Sequence, residues 1–200
     1  MIFRRFVSEG LAHYSYLIGD QDRAAVIDPR RDCGEIIEAA VAGGMAITHV
    51  LETHRNEDYV TGSIELSSRT GAVVLHSAHD DLPYQYGEPI REGDSIQIGR
   101  LRLVALHTPG HTPGHMSYVL YEASGAPWMV FTGDTLFAGE VGRTDFLGVE
   151  NLDKMTGLLY DSLFDKILPL GDGVIVCPAH GAGSVCGSGI ADRFWTTVGL

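Results

Sequence analysis

Four segments that read as strands each lead to a residue that could bind a metal ion. They are "VLETH", ending in His54, "LVALHTPGH", ending in His111, "MVFTGD", ending in Asp134, and "VIVCPAH", ending in His180. Strand ends that continue into glycine-rich loops are where rigid scaffolds present ligands and catalytic groups. Singly, each residue could cap a turn or lie at the edge of the core. Together they predict one shared site.

The loop "TPGHTPGH" limits which of its histidines can enter that site. Its prolines and glycines keep the segment from forming a helix. The four-residue spacing of His111 and His115 therefore does not place the two rings side by side, and only one of them needs to point inward. In "FTGDTLF", Gly133 allows a sharp turn that leaves Asp134 at the end of its strand.

Alternating apolar and polar residues predict the strands that must hold these loops. The predicted strands are "HYSYLIGD", "AAVIDP", "ITHVLET", "AVVLH", the two arms of a hairpin over 94–107 that turns at Gly99-Arg100, "MSYVLYEA", "PWMVFTGD" and "GVIVCPAH". Helices are predicted for "GEIIEAAVAGG", "GSIELSSRTG" and residues 151–168. The third helix carries one apolar stripe, formed by Leu152, Met155, Leu159, Leu163 and Ile167. This order predicts a layered α/β sandwich with helices outside two sheets.

The composition narrows the class of protein. The 200 residues fit a single domain, 1–200, with a sizeable core. A net charge of −12 disfavours nucleic-acid and anionic-membrane partners, which would be repelled at long range. No run approaches the roughly 18 apolar residues that span a bilayer, and "MIFRRFVSEG" lacks the apolar core of a signal peptide. We therefore expect a cytoplasmic protein.

The three cysteines do not form a recognisable motif. Cys33, Cys177 and Cys186 are scattered, and no CxxC pair is present. Neither a disulfide framework nor a zinc knuckle is indicated, so buried thiols are expected. Cys186 differs from the others because it lies in the glycine-rich stretch "GSVCGSG".

Five segments together resemble the metallo-β-lactamase superfamily. In order, they are "ETHRNEDYVTG", "HTPGHTPGHMSYV", "FTGDTLF", "GRTDF" and "CPAHGAGSVCG". More narrowly, they resemble the persulfide dioxygenases of that superfamily, especially those whose chains continue into a rhodanese domain. The resemblance runs from "SYLIGD" to "AGSVCG" and implies an αββα sandwich. It also implies that the chain could be the N-terminal part of a longer rhodanese-linked protein.

The same resemblance implies one Fe(II) per chain, bound by His54, His111 and Asp134. Two histidines and one carboxylate on one face form the ligand set of non-haem iron oxygenases. Most of the superfamily binds two metals through an HxHxDH motif, but this chain has Asn56 and Tyr59 in place of the second and third histidines. Because two cations roughly 3.5–4 Å apart need more ligands than remain, a two-zinc site is disfavoured.

Other motif residues are expected to support this centre. Asp58, Tyr59 and His180 would orient the ligands or a bound water by hydrogen bonds; Tyr59 could equally be a packing residue. Arg143 of "GRTDF" would bind a substrate carboxylate, with a salt bridge to Asp145 as the alternative. Five further histidines are expected to be structural or at the surface: His49, His76, His79, His107 and His115.

The implied reaction oxidises a thiol-bound persulfide with O2 to sulfite and the free thiol. One alternative is a thioester hydrolase resembling glyoxalase II, which would need two metals such as zinc. Another is a non-catalytic domain that binds a sulfur-carrier partner. The expected partners are a small-molecule persulfide and O2, together with a rhodanese domain or protein and a second copy of the chain. The carrier thiol is left open.

Overall fold

The computed structural model describes residues 1–55, 58–193 and 195–200, so the motif residue Asn56 lies outside the described residues. The strands are β1 (Ile2–Ser8), β2 (His13–Asp20), β3 (Arg23–Ile27), β4 (Ala46–Leu51), β5 (Val73–Ser77), β6 (Glu88–Ile90), β7 (Ser95–Ile98), β8 (Leu101–His107), β9 (Met116–Tyr121), β10 (Pro127–Gly133) and β11 (Ile175–Pro178). The helices are α1 (Gly34–Ala42), α2 (Ser63–Thr70) and α3 (Leu152–Asp161). None of the described helices combines the length and the apolar character needed to cross a bilayer.

The strands form two sheets. The first contains β1 to β6 in sequence order, and the second has the order β11-β10-β9-β8-β7. The predicted hairpins are present, since β2 pairs with β3 and β7 pairs with β8, both antiparallel. Gly99 takes a φ of 59° in the turn between β7 and β8, a conformation that favours glycine. The hairpin predicted at Gly99-Arg100 is therefore confirmed.

The alternation of side chains along the strands builds three apolar layers. In β3, Ala25 and Ile27 point between the sheets, whereas Ala24 and Val26 pack toward α1 and α2. The outer face of the second sheet packs against Ile167, which follows α3. The helices therefore cover the outside of two facing sheets, and the predicted αββα sandwich is confirmed.

The long predicted helix is divided into segments. α3 is preceded by a 3-10 turn at Val149–Asn151 and continues as a π-helical segment, Ser162–Ile167, and a second 3-10 turn, Leu168–Leu170. Within the predicted apolar stripe, Met155 and Leu159 are buried.

Two strands were not predicted, and both lie at an edge of the first sheet. β1 has Arg4 and Arg5 at its centre, and every residue in it keeps some exposure, so it shows no clean apolar face. β6 has only three residues and contains Pro89, which edge strands tolerate because they need fewer backbone donors. Edge strands bury less surface, and their sequence patterns are correspondingly weak.

Candidate metal centre

The three predicted metal ligands lie together on loops that follow the strands. Asp134 Oδ2 is 3.7 Å from Nε2 of His54 and 3.4 Å from Nε2 of His111. One ligand atom from each residue lies within 4.8 Å of the other two, and all three side chains are buried. The structure thus brings the predicted ligands into one group, while metal binding itself stays a prediction.

Hydrogen bonds beneath the site set the protonation of His54. When Asp28 is ionised, it accepts the backbone N–H of Thr53 at 2.8 Å and the Thr53 hydroxyl at 2.7 Å. The hydroxyl oxygen of Thr53 then accepts Nδ1–H of His54 at 2.8 Å, which leaves Nε2 as the unprotonated nitrogen. Burial lowers the pKa of His54 to about 3, so the ring stays neutral, as a metal ligand must.

His111 is oriented in the same way from another loop. Its Nδ1–H donates to the carbonyl oxygen of Arg143 at 3.0 Å, so Nε2 is unprotonated on the side of Asp134. Burial lowers the pKa of His111 against the opposing effect of the Asp134 carboxylate. Both histidines therefore present an Nε2 lone pair, which is the arrangement that outer hydrogen-bond partners produce around metal sites.

His115 holds Asp134 rather than acting as a ligand. Its Nε2 accepts the backbone N–H of Asp134 at 2.9 Å, and its Nδ1–H is left to donate to the Thr108 hydroxyl at 3.0 Å. With both nitrogens engaged, His115 packs against His54 with ring centroids 4.9 Å apart. Both histidines of the "TPGHTPGH" loop are therefore buried, but only His111 belongs to the group of possible metal ligands.

The turn before Asp134 requires glycine. Gly133 has a φ of 50°, and a Cβ there would collide with the rings and side chains of His115 and Thr53. This turn ends β10 and directs the Asp134 carboxylate into the interior instead of along the strand.

One oxygen of Asp134 has no partner in the described part of the chain. Oδ1 accepts from Nδ1–H of His180 at 2.7 Å, but Oδ2 is buried and accepts no hydrogen bond there. Although burial opposes ionisation, the His180 hydrogen bond and neighbouring imidazoles hold the pKa of Asp134 well below its usual range. An ionised, buried and unpaired oxygen facing two imidazole lone pairs fits a divalent cation, and both Fe(II) and Zn(II) accept this donor set.

His180 links two carboxylates. Its Nε2–H donates to Asp58 Oδ2 at 2.8 Å, in addition to the bond from Nδ1–H to Asp134. Burial disfavours its charged form, but these two hydrogen bonds outweigh that effect and raise the pKa of His180 to about 10. A protonated His180 can thus donate to both carboxylates, one from each ring nitrogen, and its role in orienting the ligands stays a prediction.

Two further residues near the centre were not placed there by sequence reasoning. The thiol of Cys186 lies with Asp58 and His180, and their potential ligand atoms are all within 4.8 Å of one another. His13 is fully buried, its ring centroid is 5.6 Å from that of His180, and both of its nitrogens lack a partner among the described groups. The glycine-rich stretch around Cys186 was a usable signal, whereas nothing local marks His13.

Tyr59 packs behind the centre. Its ring packs against His13 at a tilt of 32° with centroids 3.9 Å apart, and its buried hydroxyl lacks a hydrogen-bond partner among the described groups. Tyr59 is not among the side chains that line the cavity above the metal ligands. Tyr59 thus lies where a packing residue would, and a hydrogen bond from Tyr59 to a metal-bound group stays a prediction.

A cavity of about 200 Å³ opens over the predicted ligands. It is lined by His54, Arg55, Asp58, His111, Thr112, Pro113, Phe146, Leu147, Val185 and Cys186. Arg143 instead lines a neighbouring groove, where it pairs with Asp145 at 2.6 and 2.8 Å. The salt-bridge alternative for Arg143 is therefore present, and its binding of substrate stays a prediction.

Asp28 should make stability depend on pH. Despite the hydrogen bonds from Thr53, burial raises its pKa from 3.8 to about 7. The folded chain therefore holds this proton more tightly than the unfolded chain, and the stabilisation is complete below the unfolded pKa. It is lost as pH rises through the folded pKa, at up to about 1.4 kcal/mol per pH unit. Asp28→Asn should remove this contribution to the slope of the free energy of unfolding against pH.

Urea unfolding of the metal-free chain between about pH 5 and 8 measures this effect through the free energy of unfolding. The exposed Asp81 provides the control, since Asp81→Asn should leave the wild-type slope unchanged. Equal slopes for the wild type and Asp28→Asn would show that Asp28 titrates normally.

Comparison with known families supports the fold and the centre. Residues 9–180 match the family described as the metallo-beta-lactamase superfamily. The chain is 33% identical over 192 residues to the mitochondrial persulfide dioxygenase ETHE1 of Mus musculus, covering 90% of this chain and 68% of the relative. It is also 31% identical over 193 residues to the hydroxyacylglutathione hydrolase GloC of Haemophilus influenzae, covering 86% and 87%.

Two crystal structures share the fold. A metallo-beta-lactamase from Staphylococcus aureus superposes with a TM-score of 0.90 at 31% identity, covering all of this chain but only 60% of that one. ETHE1 from Myxococcus xanthus gives a TM-score of 0.81 at 34% identity, covering 99% of this chain and 80% of that one. The relatives thus include both a dioxygenase and a hydrolase at similar identity.

Proposed function

The chain belongs to the metallo-β-lactamase superfamily, and from that premise we propose that it is an Fe(II)-dependent persulfide dioxygenase. The reaction consumes R–S–SH, O2 and water and yields R–SH, sulfite and two protons. The sulfane sulfur is oxidised, O2 is reduced, and the S–S bond is broken. The similarity to ETHE1 over 90% of the chain supports this assignment.

The observation that carries the proposal is the convergence of three donors. His54 and His111 each present an unprotonated Nε2 to the one Asp134 oxygen that has no other described partner. Two imidazoles and one carboxylate on one side of a cation leave its other positions open. Fe(II) held there would supply adjacent positions for the persulfide sulfur and O2.

Side chains around the proposed centre orient its ligands and shield the reacting sulfur from water. His180 fixes the Asp134 carboxylate through Oδ1, so that Oδ2 remains directed at the metal ligands. Asp58 lines the cavity and accepts from His180, which keeps a carboxylate near the bound substrate. Phe146 and Val185 form part of the cavity wall, where apolar side chains exclude water from the reacting sulfur.

Arginine side chains at the rim of the cavity over the predicted ligands would bind the anionic end of the carrier thiol. Arg55 lines the cavity itself, whereas Arg143 is held by Asp145 beside it. Asp145 accepts from Nε and Nη2 of Arg143, so a substrate carboxylate would bind the remaining N–H groups of this guanidinium or replace Asp145. A carrier such as glutathione fits this rim because it carries carboxylates. A rhodanese partner that supplies persulfide and a homodimer remain predictions.

Oxygen consumption tests the proposal. The chain is loaded with iron under anaerobic conditions, and O2 uptake is followed with glutathione persulfide and with a glutathione thioester. We expect persulfide-dependent O2 uptake with formation of sulfite, and no hydrolysis of the thioester. Thioester hydrolysis without O2 uptake would overturn the dioxygenase assignment.

A thioester hydrolase is the second candidate, and one observation favours it. Cys186 joins Asp58 and His180 in a group that could hold a second cation, so the ligand count is higher than the motif alone suggested. The similarity to GloC agrees with this alternative. Against it, both nitrogens of His180 already donate to carboxylates. Zinc-loaded protein in the same two assays separates the candidates.

A further inference from the structure

A second cavity lies between the edge strands of the two sheets. It encloses about 230 Å³ between β1 of the first sheet and β11 of the second. The C-terminal segment closes it, since Val176 N–H donates to the Thr196 carbonyl at 3.1 Å and Ala191 N–H donates to the Ala138 carbonyl at 2.9 Å. Among the described residues, this cavity shares no lining side chain with the cavity over the metal ligands.

Aromatic rings form much of its wall. The ring of Phe3 stacks with Tyr16 and with Trp195, with centroids 6.0 and 6.2 Å apart. The hydroxyl of Tyr16 donates to the Pro178 carbonyl at 2.7 Å, so this ring presents its apolar face. Trp195 is 54% exposed, which leaves a large aromatic surface at the mouth. An exposed aromatic face of this kind favours another ring packed against it.

The charge of the cavity is opposite to that of the chain. The sequence has 26 acidic and 14 basic residues, yet the described lining contains Arg5 and Arg193 and neither aspartate nor glutamate. The guanidinium of Arg5 lies 4.4 Å from the centroid of the Tyr14 ring. Burial raises the pKa of Cys177 well above its usual range, so the thiol at the cavity wall carries no charge. The guanidinium groups of Arg5 and Arg193 therefore line this cavity, and that of Arg5 lies over an aromatic ring.

From this combination we propose that the cavity binds a small aromatic anion, a planar ring that bears a carboxylate, sulfonate or phosphate group. The ring would pack against Phe3 and Trp195, and the acidic group would bind the guanidinium groups of Arg5 and Arg193. Because His180 and Gly181 also line this cavity, a bound ligand would contact the loop that restrains Asp134. This site is separate from the proposed dioxygenase reaction and does not depend on it.

The test uses 4-bromobenzoate as the probe and the metal-free 200-residue chain as the receptor. Tryptophan fluorescence should be quenched on titration because the bromine atom approaches Trp195. Arg5→Glu and Arg193→Glu should each weaken binding by about tenfold or more, since a favourable charged contact becomes repulsive. Arg4→Glu is the matched control, because Arg4 is the adjacent residue of β1 and points to the other face.

A crystal soaked with the probe gives a second measurement. The anomalous signal of bromine should lie inside this cavity, against the rings of Phe3 and Trp195. Should Arg5→Glu fail to fold, Arg5→Met removes the charge while keeping the stem, and the same loss of affinity is expected. Equal affinity in Arg4→Glu and Arg5→Glu, no quenching in the wild type, or bromine located elsewhere would each overturn the proposal.

Discussion

Replacing His111 by alanine should remove bound iron and persulfide-dependent O2 uptake together. In the proposed centre His111 supplies one of the three donor atoms, and no other described side chain occupies its place, since His115 uses both of its nitrogens. We expect a loss larger than the roughly 10–100-fold that follows changes to outer hydrogen-bond partners of a metal site. Metal analysis and an oxygen electrode measure the two effects on one preparation.

His79→Ala is the matched control for this experiment. His79 is exposed, stacks on His107 with ring centroids 3.9 Å apart, and does not line the cavity over the predicted ligands. It should retain iron and O2 uptake at the wild-type level. A folded His111→Ala protein with full O2 uptake would show that the ligand assignment is wrong.

Replacing His180 by alanine should strongly destabilise the metal-free chain. The substitution removes the hydrogen bonds to Asp134 and Asp58 and leaves the Asp134 carboxylate buried without its donor. Breaking a buried charge pair by removing one partner costs about 3–5 kcal/mol. Urea unfolding measures this loss. Added Fe(II) should restore part of it, because the cation satisfies Asp134.

Asp58→Asn provides the comparison for His180→Ala. The amide oxygen can still accept from His180 Nε2–H, and Asp58 is partly exposed, so a loss of only about 1 kcal/mol is expected. If His180→Ala proves no less stable than Asp58→Asn, the buried carboxylate does not depend on His180 in the way the structure indicates.

The grouping of the three predicted metal ligands could be foreseen because each follows a strand with a clear pattern. His54, His111 and Asp134 each lie just beyond a strand, the last two directly after a glycine, and the sandwich brings those strand ends together. The order of strand and helix patterns along the chain likewise predicted helices outside two sheets. The sequence could not show that His115 supports Asp134, because this depends on which nitrogen faces the backbone N–H at 2.9 Å.

Other features depend on contacts between distant segments. His13 lies against His180, and its strand pairs with the loop that carries His180, although the sequence separates the two by most of the chain. Cys186 comes near Asp58 only in the folded state. The arginine-containing strand β1 was not predicted because edge strands bury little apolar surface. The second cavity, which β1 helps to line, was therefore not predicted either. Contacts between residues so far apart in the sequence leave no pattern in either local segment.

The most direct test of the central claim is a crystal structure of the iron-loaded chain with anomalous scattering recorded at the iron edge. We expect one peak per chain, within bonding distance of His54 Nε2, His111 Nε2 and Asp134 Oδ2, with His180 still hydrogen-bonded to Asp58. Two metal peaks, the second bound by Asp58, His180 and Cys186, would contradict a single-iron centre. A peak that lies away from all three predicted ligands would contradict the site itself.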